Sequence, residues 1–297
     1  MANNLAIQAL PHGVTLFSVG DSPSPMGDLL APEHEGAHWL LTCARDTCSP
    51  RPITLSGFPS HAHLTIVLEE RAQAHVHVVL EQSAVFSNEV FLRSGAMLSF
   101  LTSGMAERVR QKGSVESDAS LHWQIVTDSA SIVDHDVEST VRGVGGEHSI
   151  TWAFLSSAAH RLAARMVFAA PNGHGAITMR GVAMGQARVE CNGSIVIEEN
   201  AKGTETKLQE HALLLDATAH VDAVPALEVR TNDVKAGHSA SLHRIGPEEI
   251  FSFSARGIDV ATARSMCIEG FLRSVAQGKD AATMRASIQR AIARLRP

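Results

Sequence analysis

From about Pro52 to Phe253 the chain is a train of short runs in which apolar and polar residues alternate: HLTIVLEE, HVHVVLE, MLSFLTS, LHWQIVTD, SITWAFLS, ARMVFAA, SIVIEEN and HALLLDA. Many of these runs are bounded by Gly, Asn, Asp or Ser. Alternation sends successive side chains to opposite faces of a strand, so each run reads as a strand with one buried face. Helical periodicity is poor across these residues, and no strand–long helix–strand rhythm appears. A doubly wound α/β fold is therefore excluded.

The spacing of the runs narrows the architecture. Ala74, Ala96 and Ala119 each stand just before a strand-like run, at intervals of 22 and 23 residues. Small residues at the corners of stacked coils suit a solenoid, in which each coil buries its inner face on its neighbours. A mainly β, right-handed β-helix (a stacked β-solenoid) with C-terminal α-helices is the expected fold; a large β-sandwich is the alternative that the same alternation allows.

The flanks differ in character. The first 50 residues read as an irregular N-terminal cap, because Asp21–Ala37 carries several Pro and Gly residues suited to turns. The last 40 or so switch to helix. Asp259 stands where an N-cap belongs, and Gly278 closes that helix. A second helix from Asp280 to Arg296 places Met284, Ile288, Ala291, Ile292 and Leu295 on one stripe, which must be buried on the β-body or against another protein. The expected division is residues 1–50 (cap), 51–255 (β-helix core) and 256–297 (helical region).

Composition removes several function classes. A net charge of −6 over 297 residues gives no basic footprint for nucleic acid. No window approaches the roughly 18 apolar residues that a membrane span needs. Met1–Leu10 shows no signal-peptide pattern, and four cysteines are too few for a disulfide framework. The expected location is the cytoplasm, with no nucleic-acid or membrane partner.

Motifs for chemistry are sparse. The pairs His61/His63 and His75/His77 would each point to one face of a strand and could hold a metal, but a solvated sheet face explains them as well. Cys43 and Cys48 are spaced too widely for a zinc knuckle and have no second pair, so they read as incidental thiols. Asp128, Asp134 and Asp136, and likewise Asp216 and Asp222, could form the paired carboxylates of a glycoside hydrolase. With aromatic residues at only 4%, little is available to stack on sugar rings, and the simpler reading is solvated turn carboxylates. Asn192-Gly193-Ser194 reads as a tight turn. No Walker A, G-x-S-x-G or dinucleotide motif is present.

The most informative stretch is Thr206 to Phe271. In order come Gln209 before a leucine-rich strand (Leu213–Leu215), Asp222-x-x-Pro225-x-Leu227-Glu228 and Asn232-Asp233-Val234. Then follow His238-Ser239-Ala240, the run Glu249-Ile250-Phe251-Ser252-Phe253, Arg256-Gly257-Ile258 and Gly270-Phe271. This ordered set resembles the C-terminal core of the SufB/SufD family, and the resemblance extends more loosely over residues 50–277. It implies a right-handed β-helix flanked by helices. It further implies that the chain is a non-catalytic scaffold subunit of iron–sulfur cluster assembly, pairing end to end with a SufB-like paralogue. Its C-terminal helices would together dock one copy of a SufC-like ATPase, whose ATP-driven dimerisation strains the seam where a transient, shared cluster forms.

By the same resemblance, His238 matches a family histidine beside the pairing interface and is the candidate cluster ligand. Glu228, Asn232 and Asp233 fall at the pairing interface, and Arg256, Gly257, Ile258, Gly270 and Phe271 in the partner-binding helical region. The helical stripe then also acquires an intermolecular reading. SufD-type chains often carry a cysteine two positions before the histidine; here it is Ala236. SufB-type chains flank the histidine with acids, here Gly237 and Ser239, and carry an essential cysteine where this chain has Ala219. The pattern is SufD-like, without a thiolate ligand of its own in this loop. Cys191 reads as a buried structural thiol. The alternative is a stand-alone β-helical protein, a homodimer, that has lost cluster chemistry.

Overall fold

The computed structural model describes residues 5–7, 10–18, 36–129, 131–276 and 281–294. Its body is a parallel β-solenoid with two walls, and parallel pairing throughout the body rules out the sandwich. One wall stacks β3 (Ala37–Cys43), β5 (His61–Leu68), the second halves of β6 (Gln73–Leu92) and β7 (Met97–Val115), β9 (Val133–Val141), β11 (Ala159–Phe168) and β13 (Arg188–Ile197). It ends with the two short strands β15 (His220–Ala223) and β16 (Ala226–Val229). The other wall stacks β4 (Ile53–Ser56), the first halves of β6 and β7, β8 (Ser120–Ser129), β10 (Glu147–Ser156), β12 (His174–Ala183), β14 (Thr204–Leu214) and β17 (Val234–Arg244). Strands β6 and β7 run from one wall into the other without a break, so the walls belong to one winding.

At the N-terminal end, β2 (Val14–Ser18) pairs antiparallel with β3, and β1 (Ala6–Ile7) antiparallel with β4. These reversed strands close the first coil. The solenoid strands thus run from Ala37 to Arg244, beginning inside the segment read as irregular. The coil repeat lengthens from Met97↔Ser120 early on to Thr204↔Val234 at the end. The extra residues sit in the turns, which is why the period fades along the sequence.

One corner of the winding is a column of left-handed residues: Asp46, Arg71, Gly95, Asp118, Gly145, Asn172 and Gly203 all have φ between 55° and 73°. Each donates its N–H to a carbonyl of the next coil (Glu70, Ser94, Ser117, Val144, Pro171, Lys202 and Asp233) at 2.7–3.1 Å. Asp and Asn tolerate this conformation through local hydrogen bonding, and Gly adopts it at no steric cost. Glycine has a second reason in the upper coils. A Cβ on Gly145 would lie 2.6 Å from Asp118 Oδ1, and one on Gly203 2.4 Å from Asn172 Oδ1. The small residues Ala72, Ala96 and Ala119 follow the left-handed position and are fully buried. Ala72, rather than Ala74, is the corner residue of the first of these coils; Ala74 lies inside β6.

Inside the winding, Phe86, Phe100, Trp123, Trp152, Phe154 and Phe168 stack in a dry core. A buried polar column threads it. Gln111 Nε2 donates to Asn88 Oδ1 (2.7 Å) and Thr102 Oγ1 (2.9 Å), and His135 Nε2 bonds Gln111 Oε1 at 2.8 Å. The His135 ring lies 4.4 Å from that of Trp152, whose Nε1–H donates to Thr127 Oγ1 at 3.0 Å. Every coil-to-coil step of this column is hydrogen-bonded or stacked, as buried polar groups require.

Three helices follow the solenoid: α1 (Pro247–Ser254), α2 (Val260–Arg273) and α3 (Ala281–Arg294). Asp259 caps α2 by accepting from Thr262 N at 2.9 Å. Helix α1 occupies the Glu249–Phe253 run that reads as part of the β-core. Pro247 at its first turn and the Glu249 carboxylate accepting from Gly246 N (2.6 Å) favour helix over strand. The stripe Met284, Ile288, Ala291 and Ile292 is buried within the chain. With Ile268, Leu272 and Val275 it covers Leu101, Val126, Ala153, Leu155, Val182 and Leu213 on the outer face of the β4–β17 wall. The intermolecular reading of that stripe is therefore corrected: enough apolar surface stands on this wall to satisfy it. Leu295, Gly278 and Asp280 lie outside the described residues.

Two outcomes test this account. Gly203→Ala combines a left-handed Cβ with the Asn172 clash and is expected to destabilise by about 1–2 kcal/mol or more in chemical denaturation. Burial holds His135 at a pKa of about 3 and His148 at about 4, whereas unfolded imidazole takes a proton near 6.5. The unfolded chain therefore binds protons first as pH falls. Stability should drop from pH 6.5 downward, by roughly 2–3 kcal/mol per histidine at pH 4. Measured in a Glu210→Gln background, which removes a buried carboxyl raised to about 7, a flat profile between pH 6.5 and 5 would contradict the buried neutral imidazoles.

Candidate functional site at the open end of the solenoid

Parity along β14 and β17 defines the site. Thr204, Thr206, Leu208, Glu210 and Ala212 point into the winding and are buried. Their ladder partners on β17 are Val234, Ala236, His238, Ala240 and Leu242. In any earlier coil such a row would be covered. Here, among the described residues, no strand or helix lies over it: β17 pairs only with β14, and β15 and β16 only with β13. Leu242 is consequently 51% exposed, with Val224 and Val229 also open at the same end. His238 is the one polar side chain in this β17 row, and it too is exposed.

The remaining predicted residues distribute around this end. Glu228 lies on β16, held by Arg230, which also bridges to Glu198 (2.6 Å). Asn232 and Asp233 form the exposed turn before β17, and the Asp233 carbonyl receives the last bond of the corner column. Ala219 is buried at a turn. Arg256, Gly257 (φ 77°) and Ile258 make the turn between α1 and α2, closed by Ile258 N donating to Phe253 O at 3.2 Å. Gly270 is open to solvent. Phe271 is half-buried against the solenoid wall, and the Arg180 guanidinium sits 4.8 Å over its ring. Helix α1 buries none of its residues, and Phe251 is 71% exposed, with Val260 and Met266 open beside it on α2. The open end and the α1–α2 surface are thus the chain's two uncovered apolar regions nearest its C-terminal side.

Parity also reveals Glu210, which motif reading missed. It is the one acidic side chain among the described residues that points into the winding. Gly193 N–H donates to its Oε1, while Oε2 has no partner among the described residues. Burial pushes its carboxyl up to about 7, against the opposing pull of the Gly193 bond. The neighbouring Cys191 thiol, 3.6 Å from Met179 Sδ, is raised well above its ordinary value by burial and by the Glu210 charge. Asn192-Gly193-Ser194 is accordingly strand, not turn; a Cβ on Gly193 would lie 2.7 Å from the Glu210 oxygen.

The other candidates resolve into structure. His63 and His77 are buried rather than solvated, bonded to Ser87 (2.8 Å) and Ser103 (2.8 Å). Cys43 is a core residue whose thiol burial raises to about 12, and Cys48 is exposed. Asp134 and Asp136 lie on strand β9 rather than in a turn, held by Arg110 and Arg161. Asp216 is bridged by Arg264 at 3.1 Å. Among the described residues no three His, Cys, Asp or Glu side chains converge as a metal site; His238 is the one metal-ligating side chain in the β17 inner row, and His220 and Asp222 bond each other on β15 at 3.1 Å. No helix of the described residues is long and apolar enough to cross a membrane.

The body is thus a parallel solenoid closed at its start by reversed strands, uncovered over β17 among the described residues, and backed by helices on one wall. Residues 53–271 match the family model described as "SUF system FeS cluster assembly, SufBD core domain", and the chain belongs to this SufBD family. An iron–sulfur cluster assembly SufBD family protein of Mycobacterium tuberculosis H37Rv is 26% identical over 180 residues, covering 57% of this chain and 20% of that protein. A second such protein of the same strain is 23% identical over 259 residues, covering 80% of this chain and 65% of its own length. The iron–sulfur cluster assembly protein SufD of Bacillus subtilis is 26% identical over 202 residues (65% and 46%). The chain therefore spans about a fifth to two-thirds of the length of these relatives.

Replacing Glu210 by Gln keeps the acceptor for Gly193 N–H and removes the charge. A carboxyl whose folded pKa lies above its unfolded value is a stabilising group only while protonated, and that stability is lost as pH rises from about 4.5 through 7. Glu210→Gln should therefore be more stable than wild type at pH 8, by about 1–3 kcal/mol, and the difference should vanish near pH 4.5. Equal denaturation midpoints at pH 8 would contradict a buried, destabilised carboxylate.

Proposed function

We propose that this chain is a SufD-like, non-catalytic scaffold subunit of iron–sulfur cluster assembly. One observation carries the reading: the last coil leaves its inner row uncovered, and that row is apolar except for His238. Solenoids need caps with a polar outer face, and an apolar end of this kind is completed by another coil. The end of a SufB-like paralogue supplies a matching pair of walls. In that arrangement His238 stands at the seam and lends a neutral imidazole to a cluster whose other ligands come from the partner, a weaker hold than thiolate that suits a cargo to be handed on. A SufC-like ATPase docks on α1–α2, where Phe251, Val260 and Met266 stand open. The site of action is the cytoplasm.

Separate lesions should separate the two contacts. When the full chain is co-expressed with SufB-like and SufC-like partners, Leu242→Asp should lose the SufB-like chain in native mass spectrometry and retain the ATPase. Phe251→Glu with Met266→Glu should do the reverse. His238→Ala should leave the complex intact and lower its iron and sulfide content several-fold after reconstitution. Unchanged cluster content would remove His238 from the site. A chain that assembles only with itself through the open end would instead establish the homodimeric structural protein.

A further inference from the structure

The β3–β16 wall carries no helix among the described residues, and its outer face is charged. Two ladder rows cross it: Arg110, Asp136, Ala163 and Asn192 in one, and Lys112, Glu138, Arg165 and Ser194 in the next. Ala163 is the short member of this crowded set, and a notch of about 390 Å³ opens over it, a volume within the range of small-molecule sites.

The groups round the notch are unequally satisfied. Arg110 is held by Asp134 (2.6 Å) and Asp136 (3.0 Å). Arg165, in contrast, meets Glu138 at 3.9 Å, beyond hydrogen-bonding distance. Lys112, Asn192 and Ser194 make no side-chain hydrogen bond or ion pair among the described residues. Three cations against two carboxylates leave the lining side chains at a formal +1.

We propose that this notch binds a small oxyanion, a carboxylate or a phosphate, with Arg165 and Lys112 taking its oxygens and Asn192 and Ser194 donating to it. The planar guanidinium of Arg165 exchanges a long contact with Glu138 for a two-pronged one, the geometry in which arginine recognises both groups. The site lies on the wall opposite the helices, with Asn192 and Ser194 on β13 beside the terminal strands β15 and β16, and its test reads neither a partner nor a cluster.

The test uses the full chain labelled at alanine methyl groups. It is titrated with inorganic phosphate and, separately, with succinate, at ionic strength held constant with chloride. At least one anion should move the Ala163 methyl resonance saturably, and the one that saturates lower identifies the ligand class. Lys112→Gln/Arg165→Gln should weaken that response tenfold or more, with the buried Ala96 and Ala119 signals reporting an intact core. If they do not, Arg165→Lys, which keeps the charge and loses the fork, should give the weakening. No saturable shift with either anion, or an undiminished one in the folded variant, overturns the site.

Discussion

Every coil of this molecule is stable because another coil covers its inner row, and the corner column sets how the coils are joined. Parallel strands have no tight turn that joins neighbours. The chain must leave one wall, cross, and return a full coil later in register. The left-handed residues from Asp46 to Gly203 make that crossing repeatable, each turning the backbone and passing an N–H to the coil above. The aromatic core and the Asn88–Gln111–His135 column follow from the resulting register, because the same position in each coil lands on the same line.

The covering requirement is met differently at the two ends and on the two walls. At the start, β1 and β2 reverse direction and use up the free edges. The β4–β17 wall has its outer apolar residues covered by α2 and α3. The opposite wall replaces apolar residues by a lattice of arginine and acid, and needs no cover. Among the described residues, β17 leaves an apolar inner row uncovered, with Val224 and Val229 open beside it. Exposed strand edges of this kind are a pairing liability that proteins avoid unless the edge is used.

Much of this was legible in the sequence. Alternation gave the strands, the interval from Ala96 to Ala119 gave the coil repeat, and Asp259 gave the start of α2. The ordered motifs from Gln209 to Phe271 pointed to the family. What escaped had physical reasons. The run Glu249–Phe253 alternates well enough to read as strand, but Pro247 and the Glu249 cap commit it to helix. Gly193 looks like a turn residue because glycine usually is one; here it makes room for Glu210, a packing relation between coils that no local window contains. The α3 stripe could be assigned to a partner or to the body with equal sense until the apolar patch of Leu101, Val126 and Leu155 was seen on the outer wall. His63 and His77 read as exposed for the same reason: parity gives the face, but not what covers it.

In the proposed function, β17 is the strand that a second solenoid would cover. Hydrogen exchange read by mass spectrometry addresses it directly, comparing the chain alone with the chain mixed with a SufB-like partner. The account predicts that peptides spanning 234–244 exchange much faster than those spanning 174–183 in the isolated chain, and gain protection when the partner is added. Equal protection of the two segments in the isolated chain, or no gain at 234–244 on complex formation, would contradict it.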